Sequence, residues 1–357
     1  MAQGGPAGSD PRRARLFTSQ SHLLHSPETE WGRSGLIPCA ETPARIEAIE
    51  KALRNHGWQL EESAPADRAD LLSVHTEAYL EFLETAVQDW ESAGYDLPVL
   101  AGTFSPRGVR PAGPPRSIQG KAGYYAFGLG SPILEGTWQA ARGAAGVALD
   151  ATRAVLDGAD VALGLCRPPG HHAGTDYGGG YCYLNNAALG AEHIAGRTGR
   201  RGGVAIVDLD YHHGNGTQDI FWERDDVTYF SIHADPDFDY PYFTGRVEER
   251  GSGRGSGYTL NAPLPLGSGD GPWLTALDRG LAEIPPPETI VVSLGLDPLV
   301  GDERFAVTQQ GFRAAGAKLA AAAPLVILIE GGYLVAELGN ATVAFLEGAL
   351  GSQPPQP

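Results

Sequence analysis

Residues 208–216 read Asp-Leu-Asp-Tyr-His-His-Gly-Asn-Gly, a run dense in groups that bind metals or move protons. Side chains of an extended segment alternate, so Asp208, Asp210 and His212 can share one side. A carboxylate and an imidazole two residues apart can bind one zinc ion. Asp297, at the end of a separate apolar run, is the candidate for a third ligand. Three protein ligands leave a coordination position open for water and substrate, as catalysis requires. Simple hydrogen-bonded capping of a strand end would use the same residues. Asp297 and a second histidine pair make that reading the poorer one. The pair is His171-His172, on the proline-stiffened turn that begins Arg167-Pro168-Pro169-Gly170. Hydrolysing an amide needs a base for the water and an acid for the leaving amine, and histidine serves as both near neutral pH. In Glu330-Gly331-Gly332-Tyr333 a phenol follows a flexible glycine pair. Its hydroxyl can donate to the oxyanion formed when water attacks a carbonyl.

Five short apolar runs must carry these residues: 161–166, 204–209, 227–232, 290–296 and 325–329. They read as buried parallel strands. Helical patterns at 43–56, 76–93, 136–156, 186–198, 272–284 and 308–323 accompany them, the rhythm of a doubly wound α/β sheet. Each run ends in polar residues: His171-His172, the Asp208–His212 motif, Ser231 and His233, Asp297, and Glu330–Tyr333. Ligands of open α/β sheets bind outside the carboxyl ends of the strands, so five polar strand ends predict an active site there. Residues 97–135 are rich in Gly and Pro without a clear period and read as a long functional loop. Residues 1–12 and 351–357 read as disordered tails around one domain, 13–350.

The net charge of −17 disfavours nucleic acid as a partner and attracts cations. No apolar run is long enough for a membrane span, and the N-terminus lacks the apolar stretch of a secretory signal. A cytoplasmic location is expected. Cys39, Cys166 and Cys182 are odd in number and form no C-x-x-C, so reduced, buried thiols are expected. No Gly-x-Ser-x-Gly elbow suggests a serine nucleophile. The glycines of 251–257 read as a surface loop.

Five stretches together resemble the arginase/deacetylase superfamily: CRPPGHHAG at 166–174, GGYCYLNNAALGA at 179–191, VDLDYHHGNGTQDIF at 207–221, SLGLDPLVGD at 293–302 and EGGY at 330–333. Within it the sequence is similar to histone deacetylases and acetylpolyamine amidohydrolases, closest to the class II and acetylpolyamine branch, from about Arg15 to Leu350. The resemblance implies a three-layer α/β/α fold with a central, mostly parallel sheet. It implies zinc on Asp210, His212 and Asp297. It makes His172 the general base and then acid, partnered by Asn215 where class I enzymes have Asp. His171 resembles the more buried imidazole, oriented by Asp208. Tyr333 resembles the residue that polarises the carbonyl. Gly180, Tyr181 and Tyr240 resemble the acyl tunnel, the two tyrosines forming its walls. Asp208, Ser231 and the main chain of Ile232 resemble part of a monovalent cation site, usually potassium.

The implied reaction is removal of an acetyl or related acyl group from an N-acylated amine, with a small metabolite or acetylpolyamine-like molecule as substrate. Glu30 resembles a rim carboxylate that reads a distal ammonium. Gln119 and Gly130 stand where the acetylpolyamine branch tends to have Glu, and Arg304 stands where some relatives carry a polyamine-reading Glu. Arg304 is therefore expected to disfavour polycations. A protein acetyl-lysine deacetylase is the alternative of the same chemistry. A non-catalytic metal- or acyl-binding protein and a dimanganese enzyme are the others. The 97–135 loop is expected to cover part of the site and to contribute to a homodimer.

Overall fold

The computed structural model describes residues 14–32, 35–105 and 113–351. Its strands are β1 (Ala14–Thr18), β2 (Thr29–Gly32), β3 (Gly35–Pro38), β4 (Leu60–Glu62), β5 (Val161–Gly164), β6 (Val204–Asp208), β7 (Val227–Ala234), β8 (Thr259–Leu264), β9 (Thr289–Leu294) and β10 (Leu325–Ile329). Its α-helices are α1 (Ala44–Asn55), α2 (Arg68–Leu71), α3 (Glu77–Ser92), α4 (Ile118–Tyr124), α5 (Thr137–Leu156), α6 (Asn186–Thr198), α7 (Asn215–Phe221), α8 (Asp270–Glu283), α9 (Gln309–Ala320) and α10 (Val335–Ala349). Eight strands form one sheet in the order β4-β1-β5-β10-β9-β6-β7-β8, while β2 and β3 make a separate antiparallel hairpin.

Apolar residues on both faces of a strand require cover on both sides. Along β6, Val204 and Ile206 join one core while Ala205 and Val207 join the other. Along β10, Val326 and Leu328 face the first, and Leu325, Ile327 and Ile329 face the second. Residues of α3, α5 and α6, such as Leu83, Val147 and Leu189, fill the first core. Residues of α1, α8, α9 and α10, such as Ile49, Trp273, Phe312 and Phe345, fill the second. The result is three layers, α/β/α. Every pairing in the large sheet is parallel, so all carboxyl ends lie on one edge. The five strands expected from sequence are β5, β10, β9, β6 and β7, and they are contiguous in the sheet.

The sheet is wider than those five strands. β4 is a three-residue edge strand reading Leu-Glu-Glu. β8, at the opposite edge, contains Pro263, which a central strand would not accept. β1 lies between β4 and β5. Helix α10 was also not expected. The 97–135 stretch is not wholly loop: it contains α4 and is clasped by main-chain bonds between Val99 and Ile133 at 2.9 and 3.1 Å. Of the expected tails, 1–12 and all of 351–357 except Gly351 lie outside the described residues, as do 13, 33–34 and 106–112. All three cysteines are free and buried. Among the described residues, no helix is long and apolar enough to cross a membrane.

Candidate active site

Asp210 and His212 follow β6, and Asp297 follows its sheet neighbour β9. Nδ1 of His212 lies 3.2 Å from Oδ1 of Asp210 and 3.2 Å from Oδ2 of Asp297. The other oxygen of each carboxylate is turned away and held by the main chain. The N–H of Gly331 donates to Oδ2 of Asp210 at 2.9 Å, and that of Tyr211 donates to Oδ1 of Asp297 at 2.9 Å. Oδ2 of Asp297 is buried and, despite the nearby imidazole, accepts no well-directed hydrogen bond. Burial and the charge of Asp210 raise the Asp297 pKa. Two buried carboxylates with one oxygen each facing an imidazole nitrogen fit a divalent cation, which would pair the Asp297 oxygen left without a donor. His171, Cys182 and Glu330 also come close together. There, however, Glu330 is already engaged: Oε2 accepts from the N–H of Gly170 and His171 at 2.6 and 3.1 Å, and Oε1 from Ser293 Oγ at 3.1 Å. That grouping offers no free carboxylate for a second metal.

The histidine pair splits into two states. Nδ1 of His171 lies 3.1 Å from Oδ2 of Asp208. Burial disfavours its charge, but Asp210 and Asp208 outweigh burial and raise its pKa to about 10. Nδ1 of His172 lies 2.7 Å from Oδ1 of Asn215, the first residue of α7. An amide oxygen only accepts, so Nδ1 carries the proton and Nε2 keeps a lone pair. Burial, then His171 and His212, hold the His172 pKa well below the usual imidazole value. The turn of the pair is tied down from α6 and α7. Asn185 donates to the Ala173 carbonyl at 2.9 Å and to Thr217 Oγ1 at 3.0 Å, and Thr217 N donates to the His171 carbonyl at 3.1 Å.

His172, His212 and Tyr333 line one cavity of about 580 Å³. Gly180 and Tyr181 form one wall with φ of 53° and 67°, the left-handed region that a bulky residue rarely adopts. A Cβ on Gly180 would sit 2.5 Å from Cδ2 of His172 and 2.9 Å from the Tyr240 hydroxyl, so only glycine fits. The Tyr240 ring meets His172 edge-on at 5.1 Å and stacks on Phe127 at 6.1 Å. Gly128, Leu129 and Gly130 complete the wall, so the 97–135 stretch does reach the cavity. The Tyr333 ring lies 5.7 Å from that of Tyr181.

At the mouth, the Tyr181 hydroxyl donates to Oε2 of Glu30 on β2 at 2.5 Å. Arg304, expected at the rim, is not among the residues that line the cavity. Its guanidinium lies 3.4 Å from Oδ2 of Asp239 and its side chain is 42% exposed, so it turns aside. From the same loop Asp302 and Glu303 line the cavity instead. Asp239 is a buried carboxylate that also accepts the Tyr211 hydroxyl at 2.5 Å. Asp208 and Ser231 are register partners on β6 and β7, with Ile232 next to them. Ser231 Oγ pairs with His233 Nδ1 at 2.7 Å. Sequence reasoning passed over Asp302, Glu303, Trp31 and Phe127. The only signal available was adjacency to residues already singled out.

Residues 39–349 match the histone deacetylase domain. Acetylpolyamine amidohydrolase 1 of Pseudomonas aeruginosa is 42% identical over 94% of this chain and 98% of its own length. The acetylpolyamine amidohydrolase of Mycoplana ramosa is 40% identical over 94% of this chain and 100% of its own length. The crystal structure of acetylpolyamine aminohydrolase from Burkholderia pseudomallei superposes with a TM-score of 0.87 at 37% identity, covering 94% of this chain and 98% of that one. Agreement at this level along nearly the whole chain, on a fold whose strand ends gather the same motifs into one cavity, makes this protein a member of the histone deacetylase domain family.

Proposed function

We propose that this protein is a zinc-dependent amidohydrolase that deacetylates a small, cationic N-acetylated amine of the acetylpolyamine type. One observation carries the reading. His172, Tyr333 and His212 line one cavity, His212 is grouped with the buried carboxylates of Asp210 and Asp297, and Glu30 and Glu303 line the same cavity. The names of the similar amidohydrolases point the same way.

Asp210, His212 and Asp297 would hold the zinc. When bound, it would supply a Lewis acid for the acyl carbonyl and lower the pKa of the attacking water. His172 takes the water proton at Nε2 while Asn215 keeps the Nδ1 proton in place. The same nitrogen then returns that proton to the departing amine, which leaves beside acetic acid; the acid's own proton then passes to the amine, giving acetate and an ammonium. Tyr333 donates to the carbonyl oxygen as negative charge grows there. His171, held by Asp208, packs behind His172. Glu30 and Glu303 attract an ammonium on the distal part of the substrate, and the narrow wall of Gly180, Tyr181 and Tyr240 admits an extended aliphatic chain. A potassium ion near Asp208, Ser231 and the Ile232 carbonyl belongs to the same reading.

The test is a panel of acetylspermidine, a neutral N-acetyl alkylamide and an acetyl-lysine peptide, compared by kcat/KM with the zinc-loaded enzyme. The acetylpolyamine should lead. A clear preference for the peptide would replace this reading with a protein deacetylase, and no turnover of any member with metal bound would point to a binding protein.

A further inference from the structure

Tyr333 has to be aimed, because it follows a glycine pair and Gly332 adopts φ of 119°. The preceding main chain is gripped at its carbonyls and at the Gly331 N–H. Nη2 and Nε of the buried Arg45 donate to the carbonyls of Glu330 and Gly332 at 2.5 Å each. The N–H of Gly331 donates to Asp210, and its carbonyl accepts from Leu296 N at 2.9 Å. At Tyr333 the partner changes. The N–H groups of Tyr333 and Leu334 both donate to Oδ2 of Asp302, at 2.6 and 2.7 Å. Leu334 is the N-cap of α10, and no side chain of its own segment caps that helix. A helix start leaves main-chain N–H groups without partners and favours a negative charge nearby. Asp302 supplies both from another loop, five residues after the metal-ligand candidate Asp297.

We propose that Asp302 is a positioning residue for Tyr333. Its carboxylate fixes the main chain at the tyrosine, and so the place of the phenol relative to the substrate carbonyl. It also couples the loop after β9 to the loop after β10, so that metal site and hydroxyl donor keep a fixed separation. The inference rests on the reading of Tyr333 as the carbonyl's donor.

Asp302→Ala, prepared with zinc, should keep its metal and a KM within about twofold, while kcat falls about 10- to 100-fold, the scale expected for an ångström of misplacement. Asp302→Asn retains an acceptor oxygen and should recover most of the rate. In a Tyr333→Phe background the donor is already gone, so adding Asp302→Ala should cost less than about threefold. Equal losses in both backgrounds, loss of zinc, or an Asp302→Asn as poor as the alanine variant would overturn the proposal. If the alanine variant does not accumulate, Asp302→Ser, whose hydroxyl is too short to serve both N–H groups, is held to the same criteria. A Tyr333→Phe enzyme of near-normal rate overturns both this inference and the catalytic reading. Additive losses on an impaired Tyr333→Phe enzyme overturn the role of Asp302 alone.

Discussion

Replacing Asn215 with Asp tests the assignment of His172 as the base. The substitution is nearly isosteric and puts a carboxylate oxygen where the amide oxygen now sits, 2.7 Å from Nδ1. The centre of that charge lies about 4 Å from the ring, where two unit charges interact by about 4 kcal/mol at an effective dielectric of ~20. At about 1.4 kcal/mol per pKa unit, this sets a ceiling of roughly 3 units on the rise in the His172 pKa. The new carboxylate is itself partly buried and shares the proton with the imidazole, so a rise of about 1–2 units is expected. The direction follows from the role. A base must be neutral to act, burial and the neighbouring imidazoles now hold His172 neutral, and a raised pKa leaves it protonated over more of the acidic range. The acid limb of kcat/KM, which reports ionisations of the free enzyme, should therefore move to higher pH by about 1–2 units, with the plateau above it less affected. The assay is kcat/KM against pH for both proteins at equal zinc content. A folded, zinc-loaded Asn215→Asp enzyme with an unmoved acid limb would show that His172 is not the base.

Asp297→Ala should lose zinc and activity together, measured as metal per chain and turnover; an active, metal-free variant ends the metal assignment. Tyr333→Phe and His172→Ala should keep zinc and lose about 100- to 1000-fold in kcat, the usual scale for a lost oxyanion donor; near-normal turnover in either shows the wrong residue was chosen. Glu303→Gln should lower kcat/KM for acetylspermidine relative to a neutral amide, while Arg304→Glu should change that ratio less, because Arg304 faces Asp239; the reverse order would restore Arg304 as the reader. The protein is expected to be a homodimer by sedimentation, and a monomer at all concentrations would rule that out.

The site was more legible than the fold around it. Asp208, Asp210 and His212 fall within five residues, directly after an apolar run, so type and spacing reveal them together, while Asn215 comes only from the family resemblance. Asp302 and Arg45 could not be read this way. The partners of Asp302 lie 31 and 32 residues away, and those of Arg45 on the glycine loop lie 285 and 287 away. Alone, each resembles an ordinary polar residue of a loop or helix. Among the elements, β10 with five apolar residues declares itself, whereas β4 exists because β1 offers it a pairing edge. Helix α10 contains Gly339, Asn340, Thr342 and Val343, poor helix formers on average. Packing against α9 and α1 outweighs that local preference. The partner of Arg304, Asp239, lies 65 positions away, so the direction of the guanidinium is not legible in the sequence.

An all-parallel sheet has two unlike edges. The carboxyl edge carries the cavity; the opposite edge carries the connections that enter β5, β6, β7, β9 and β10, and none of the site residues lies there. Residues 157–158 and 199–201 on that edge are exposed. The two edges are therefore free to diverge at different rates. A fluorophore or short peptide tag inserted at 199–201 stands a whole strand length from the chemistry, and that turn is a natural handle for immobilising the enzyme without blocking its mouth.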